Sequence, residues 1–152
     1  MNRKRIFRSL ATIIFPLFLV NFIANKLYWY YSIWYFDMPM HFWGGVCLGF
    51  AMIWFFSKED QFLELNSSLI LRIILGVLFI GVSWEIYEFI FNNVLGKIPF
   101  NMLDTISDVF FDLAGGTFAT FYFFLISFKN YINSKNTVYG VPYSNDIRTL
   151  NK

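Results

Sequence analysis

Six acidic residues and the single histidine of this chain lie in or at the ends of long apolar runs, where ionisable groups are costly and usually functional. They are Asp37 with His41 four positions on, then Glu85 and Glu88, then Asp104, Asp108 and Asp112. Spacings of three and four put each set on one helical face, and the three aspartates span an arc of about 80°. Six carboxylates cannot all stay ionised and unpaired in a low dielectric. They take up protons, find cationic partners or coordinate metal, and only Lys26 and Lys97 lie at the same helix ends. An oxygen-rich set with one imidazole suits Mg²⁺, Mn²⁺ or Ca²⁺, and Zn²⁺ or iron where His41 joins the coordination shell. The expected divalent-metal ligands are Asp37, His41, Glu85, Glu88, Asp104, Asp108 and Asp112, with His41 and Glu88 also the expected catalytic groups. Asp104 and Asp112 stand about 12 Å apart along a helix axis, too far to share one ion. Two metals, or one metal with a free base, is therefore the expectation.

Structural roles compete with this chemistry. Thr105-Ile-Ser-Asp108 has the form of a capping box, and Asp104 and Asp37 stand where they could cap helix starts. Glu85, Glu88 and Asp112 have no such explanation, since a helix end disfavours acids and Asp112 lies two turns inside. Asn92, one turn past Glu88, reads as an end-of-helix residue. Asp37-x-x-x-His41-x-x-Gly44-Gly45 is echoed by Asp108-x-x-x-Asp112-x-x-Gly115-Gly116, the pattern that parallel repeats of two helices each would leave. Gly45-x-x-x-Gly49 and Gly115-x-x-x-Ala119 permit close helix approach.

The elements that must position these residues follow from composition. Of 152 residues 57% are hydrophobic and only 14% charged, against about a quarter charged in soluble domains. The apolar residues gather into four runs, about 6–23, 40–56, 69–91 and 103–128, each near the roughly 20 residues that cross hydrocarbon. An all-α, four-helix, multi-pass membrane bundle is expected over residues 1–129, with a polar, flexible tail over 130–152. The basic start resembles a secretory signal but no small-residue cleavage site follows, so the first run reads as a retained helix. With both termini cytoplasmic, ten Lys and Arg residues lie inside and two, Lys26 and Lys97, outside. That topology places all seven candidate residues in the outer half of the cell membrane. The aromatic segment Tyr28 to Phe36 suits the outer headgroup level.

The residues Asp37…His41-Phe42-x-Gly44-Gly45, Trp84-Glu85-Ile86-Tyr87-Glu88 and Asp104-Thr105-x-x-Asp108-x-x-x-Asp112-x-x-Gly115-Gly116 together resemble the YjdF family of small membrane proteins. The last block is also similar to the Asp-rich helix of the wider VanZ-like group. The resemblance covers roughly residues 37 to 120. It implies a compact helix bundle in the cell envelope and no particular reaction.

Three functions compete. A metal-dependent hydrolase or transferase acting on a lipid or lipid-linked envelope substrate leads, because a metal at hydrocarbon depth could activate water. Against it stands the lack of Arg clamps for phosphate and of an evident nucleophile, Cys47 lying among apolar residues. A cation or proton relay is the alternative, although the inner half offers no acid to continue a path. A non-catalytic envelope component or resistance factor is the third. Membrane lipid and a second copy of the chain are the expected partners. No nucleic-acid-binding stripe is present, since topology explains the basic residues.

Overall fold

The computed structural model describes residues 3–56, 67–96 and 101–138. The expected loop with Lys58, Glu59, Asp60 and Glu64, the connection with Lys97 and Pro99, and the tail residues Asp146, Arg148 and Lys152 lie outside the described residues. The elements are α1 (Arg3–Lys26), α2 (Trp29–Ser32), α3 (Asp37–Phe56), α4 (Ser67–Phe91) with a π-helical turn at Asn92–Gly96, and α5 (Met102–Val138). Among the described residues there is no strand. Four helical segments, Ile6–Lys26, Asp37–Phe56, Ser67–Phe91 and Met102–Lys129, are long and apolar enough to cross a membrane, and they coincide with the four apolar runs.

Several helix boundaries differ from the sequence reading. Helix α3 begins at Asp37, not Met40, because Pro39 falls in the first turn, where its missing N–H has no intrahelical acceptor to lose. Helix α5 begins at Met102: the Leu103 N–H donates to Asn101 Oδ1 at 3.2 Å and the Thr105 N–H to the Asn101 carbonyl at 3.2 Å. Asn101 therefore caps this helix, and the capping box expected at Thr105 and Asp108 is not formed. Both residues lie inside the helix, which frees the Asp108 carboxylate for the bundle. The same helix runs on to Val138, beyond Phe128, where the fourth apolar run ends.

Helices α3 and α5 form the principal contact and run parallel. Gly45 lies on Asp112, Gly49 on Gly116 and Ala119, and the Phe50 ring meets Tyr122 at 6.0 Å. A Cβ at Gly45 would run into the Asp112 carbonyl oxygen, and one at Gly115 into the Phe42 carbonyl oxygen. The two helices approach backbone to backbone only because these positions carry no side chain. Helix α4 crosses the pair in the opposite direction, with Val77 against Gly116, Gly81 against Asp112 and Gly76 against Met52. Helix α1 lies along α3, also antiparallel, its Phe7 ring 6.5 Å from that of Trp54.

One half of the bundle holds the apolar core: Ile6, Val46, Phe50, Ile53, Leu69, Ile73, Ala119 and Phe123. Large exposed side chains such as Phe15, Phe18 and Phe79 form its lipid-facing surface. At the opposite end, Tyr28 adopts a left-handed conformation (φ 56°) and turns the chain from α1 into α2. Tyr31 and Trp34, each 81% exposed, then project outward, as expected of side chains at headgroup level.

Candidate functional site

The parallel packing of α3 against α5 sets the two echoed motifs side by side. His41 stands between them. Its Nε2 lies 3.6 Å from Asp37 Oδ1, one turn back on α3, and 3.9 Å from Asp108 Oδ1 on α5. Its Nδ1 faces Asp112 Oδ1 at 3.4 Å. Asp108 and Asp112 are 3% and 5% exposed, His41 is nearly enclosed and Asp37 forms the open rim. Donor atoms of Asp37, His41 and Asp108 all lie within 4.8 Å of one another, the spacing a single metal ion requires of three ligands.

The two ring nitrogens divide these carboxylates. Asp112 sits on the Nδ1 side and Asp37 and Asp108 on the Nε2 side, so an ion bound through Nε2 meets Asp37 and Asp108 while Asp112 holds the ring. A carboxylate on the far nitrogen is the usual partner of a metal-binding histidine: it selects the tautomer and orients the ring.

Glu85 comes from α4, on the helix face that carries Gly81. A Cβ at Gly81 would lie 2.7 Å from Asp112 Oδ2. One turn further along α4, and one turn back along the antiparallel α5, Glu85 is level with Asp108. It is 8% exposed, and its Oε1 is sealed from solvent with no hydrogen-bond partner among the described residues, although Thr105 faces the carboxyl group. Its electrostatic neighbours are His41, Glu88 and Asp112. Glu88, half-buried, accepts a 3.5 Å hydrogen bond from Asn92 Nδ2. Asp104 is exposed in the first turn of α5, within electrostatic range of Asp37 and Asp108. All seven acidic and histidine positions therefore gather at one end of the bundle. Four form the tight cluster, Glu85 closes its α4 side, and Glu88 and Asp104 stand at its edge.

Sequence reasoning passed over a polar strut beside this cluster. The Tyr30 hydroxyl donates to Asn21 Oδ1 at 2.8 Å, and Asn25 Nδ2 donates to the same oxygen at 3.1 Å. Burial first, then the Asp37 and Glu88 carboxylates, push the Tyr30 phenol up to about 12. The signal was present as Asn21-x-x-x-Asn25 inside an apolar helix, where amides need a partner.

A family model described as "Predicted membrane protein (DUF2238)" matches residues 1–129. An uncharacterised protein of Thermotoga maritima is 31% identical over 101 residues, 64% of this chain and 52% of that protein. The chain thus spans about half the length of that relative. No solved structure matches the chain.

Proposed function

The chain belongs to the DUF2238 family of predicted membrane proteins, and we propose that it binds a divalent metal ion through Asp37, Nε2 of His41 and Asp108, with Asp112 orienting the imidazole. The observation that carries this reading is the convergence of three donor atoms from two helices within 4.8 Å, with a fourth carboxylate on the opposite ring nitrogen. Two carboxylates and one imidazole suit Zn²⁺, Mn²⁺ or Fe²⁺. Such a ligand set leaves coordination positions open for water and substrate. The ion would supply Lewis acidity and a water ionisable near neutral pH.

The reading extends to an enzyme acting on a lipid or lipid-linked substrate, with the cluster on the outer side of the cell membrane. Asp37 at the rim would face the headgroup layer, and Asp108 and Asp112 would hold the centre away from bulk water. A transmembrane cation path fits less well. Below the cluster the bundle closes on Val46, Phe50, Ile73 and Phe123, an apolar plug with no acidic group among the described residues to receive an ion.

Metal content of the detergent-purified protein, measured by mass spectrometry, tests the site. Wild type should carry stoichiometric metal, and Asp108→Asn and His41→Ala should lose it. A wild type that takes up no Mg²⁺, Mn²⁺, Ca²⁺ or Zn²⁺ on soaking would mean that the carboxylates are protonated, and the reading would fall. Incubation of lipid extract with the metal-loaded protein then tests for chemistry: a lipid species consumed by wild type and spared by Asp108→Asn identifies the substrate class.

A further inference from the structure

Asp37 is the least enclosed of the three proposed ligands. Its side chain is 35% exposed, against 10% for His41 and 4% for Asp108. The backbone contacts that seat α3 on α5 begin at Phe42 and Gly45, so the first turn of α3, where Asp37 stands, lies beyond them. Helix ends open more readily than helix interiors. A carboxylate on such a turn keeps a fixed distance to its neighbours only where the turn itself is held.

The hold comes through the preceding residue. The Phe36 ring meets Trp29 at 5.5 Å and 72° and Tyr30 at 5.1 Å and 87°, both in the edge-to-face geometry that aromatic pairs favour. Backbone bonds continue the connection: the Ile33 N–H donates to the Trp29 carbonyl at 2.9 Å and the Phe36 N–H to the Ile33 carbonyl at 3.0 Å. Tyr30 is in turn moored to α1, its hydroxyl donating to Asn21 Oδ1 at 2.8 Å. Asn25 Nδ2 donates to that same oxygen at 3.1 Å and to the Asn21 carbonyl at 2.9 Å, which fixes the acceptor. Helix α1 contributes none of the candidate ligands. It contributes the oxygen on which the rim of the cluster is braced.

We propose that Tyr30 is a positioning residue for Asp37: through Phe36 it sets where the rim carboxylate stands relative to His41 and Asp108, and its hydroxyl bond to Asn21 keys that setting to α1. This inference rests on the metal reading above and deepens it, naming what holds the exposed ligand. Tyr30→Phe isolates the mooring, since it deletes one oxygen and keeps the ring that touches Phe36.

Mn²⁺ alone is the probe, titrated by calorimetry into the detergent-purified full chain. Tyr30→Phe and Asn21→Ala should each weaken Mn²⁺ binding about 10-fold at unchanged stoichiometry, the scale of losing a group that orients a ligand, and the double variant should lose no more than either alone. Asp37→Asn, which keeps His41 and Asp108, should bind more weakly. Adding Tyr30→Phe to it should change nothing further, because the ligand that Tyr30 positions is gone. In the metal-free protein, hydrogen exchange read by mass spectrometry should quicken in Tyr30→Phe over residues 36–41 and stay unchanged over 45–56. That readout needs no ion, so it decides the matter where Asp37→Asn binds too weakly to measure. Wild-type affinity in Tyr30→Phe, an equal loss with and without Asp37, or exchange quickened evenly along α3 would each overturn the positioning role and leave the metal site standing. Absence of Mn²⁺ from wild type would overturn the metal reading, and this inference with it.

Discussion

The two nitrogens of His41 make neighbouring aspartates unequal. Asp108, on the Nε2 side, is a ligand in the proposed centre; Asp112, on the Nδ1 side at 3.4 Å, holds the ring. Substitutions should separate these roles. Asp112→Asn should keep the bound-metal stoichiometry but weaken affinity by about 10- to 100-fold, the usual cost of losing an orienting carboxylate, whereas Asp108→Asn should abolish binding; calorimetric titration with Mn²⁺ reads both. Equal losses would mean that Asp112 coordinates directly. This asymmetry was invisible in the sequence, where Asp108 and Asp112 occupy the same helical face and both read as ligands. Tyr30 carries the pH prediction. Because its phenol titrates near 12 in the folded protein against 10.0 normally, the folded state holds that proton more tightly than the unfolded chain does. Its contribution is intact below about pH 10 and is lost as pH rises to about 12. Thermal unfolding followed across that range should fall less steeply with pH in Tyr30→Phe than in wild type. Identical slopes would mean that neither burial nor the Asp37 and Glu88 carboxylates raise the Tyr30 phenol.

Helix packing sets the distance between the aspartates and the imidazole. The α3–α5 approach depends on Gly45 and Gly115, where any Cβ meets the partner's backbone, while a Cβ at Gly44 would lie 3.9 Å from Asp112 Oδ1, an ordinary contact. Gly45→Ala and Gly115→Ala should therefore destabilise the bundle by about 1–3 kcal/mol, the range for overpacked sites, and lower metal affinity as the helices separate. Gly44→Ala should leave both near wild type. Detergent-phase thermal melts with metal titrations distinguish the three, and a Gly44→Ala as damaging as Gly45→Ala would contradict this packing. The same contact shows what was legible beforehand. Four apolar runs announced the spanning helices, and the echoed Asp-x-x-x-His/Asp-x-x-Gly-Gly motifs marked the two helices that meet. The start of α3 was misread because Pro39 looks like a boundary, although a first turn tolerates proline. The extension of α5 to Val138 was hidden because hydropathy registers membrane crossing, not helicity. Glu85 read as one acid among several, since its burial arises only when α4 brings Gly81 onto Asp112.

Across the whole molecule the apolar core and the acidic cluster occupy opposite ends, so stability and chemistry are largely separable. Chelation should leave the helices folded, because the glycine contacts and the Phe123 core do not involve metal. It should lower thermal stability only by linkage, about 2.7 kcal/mol for an ion at a hundred times its dissociation constant. Loss of helicity on chelation would make the ion structural. Which compartment would supply a substrate to the proposed centre depends on orientation. Along the sequence, ten of the twelve Lys and Arg residues are assigned to the cytoplasmic side by the expected topology and only Lys26 and Lys97 to the other, and that bias favours cytoplasmic termini and an outward-facing site. Cys47 is the sole cysteine and is buried, so a Cys47→Ala background carrying Lys26→Cys or Lys152→Cys gives an unambiguous reporter. On intact cells a membrane-impermeant maleimide should label position 26 and spare position 152. The reverse pattern would turn the cluster toward the cytoplasm, where the headgroups within its reach belong to the inner leaflet. The metal chemistry would survive that result, but the proposed envelope substrate would not.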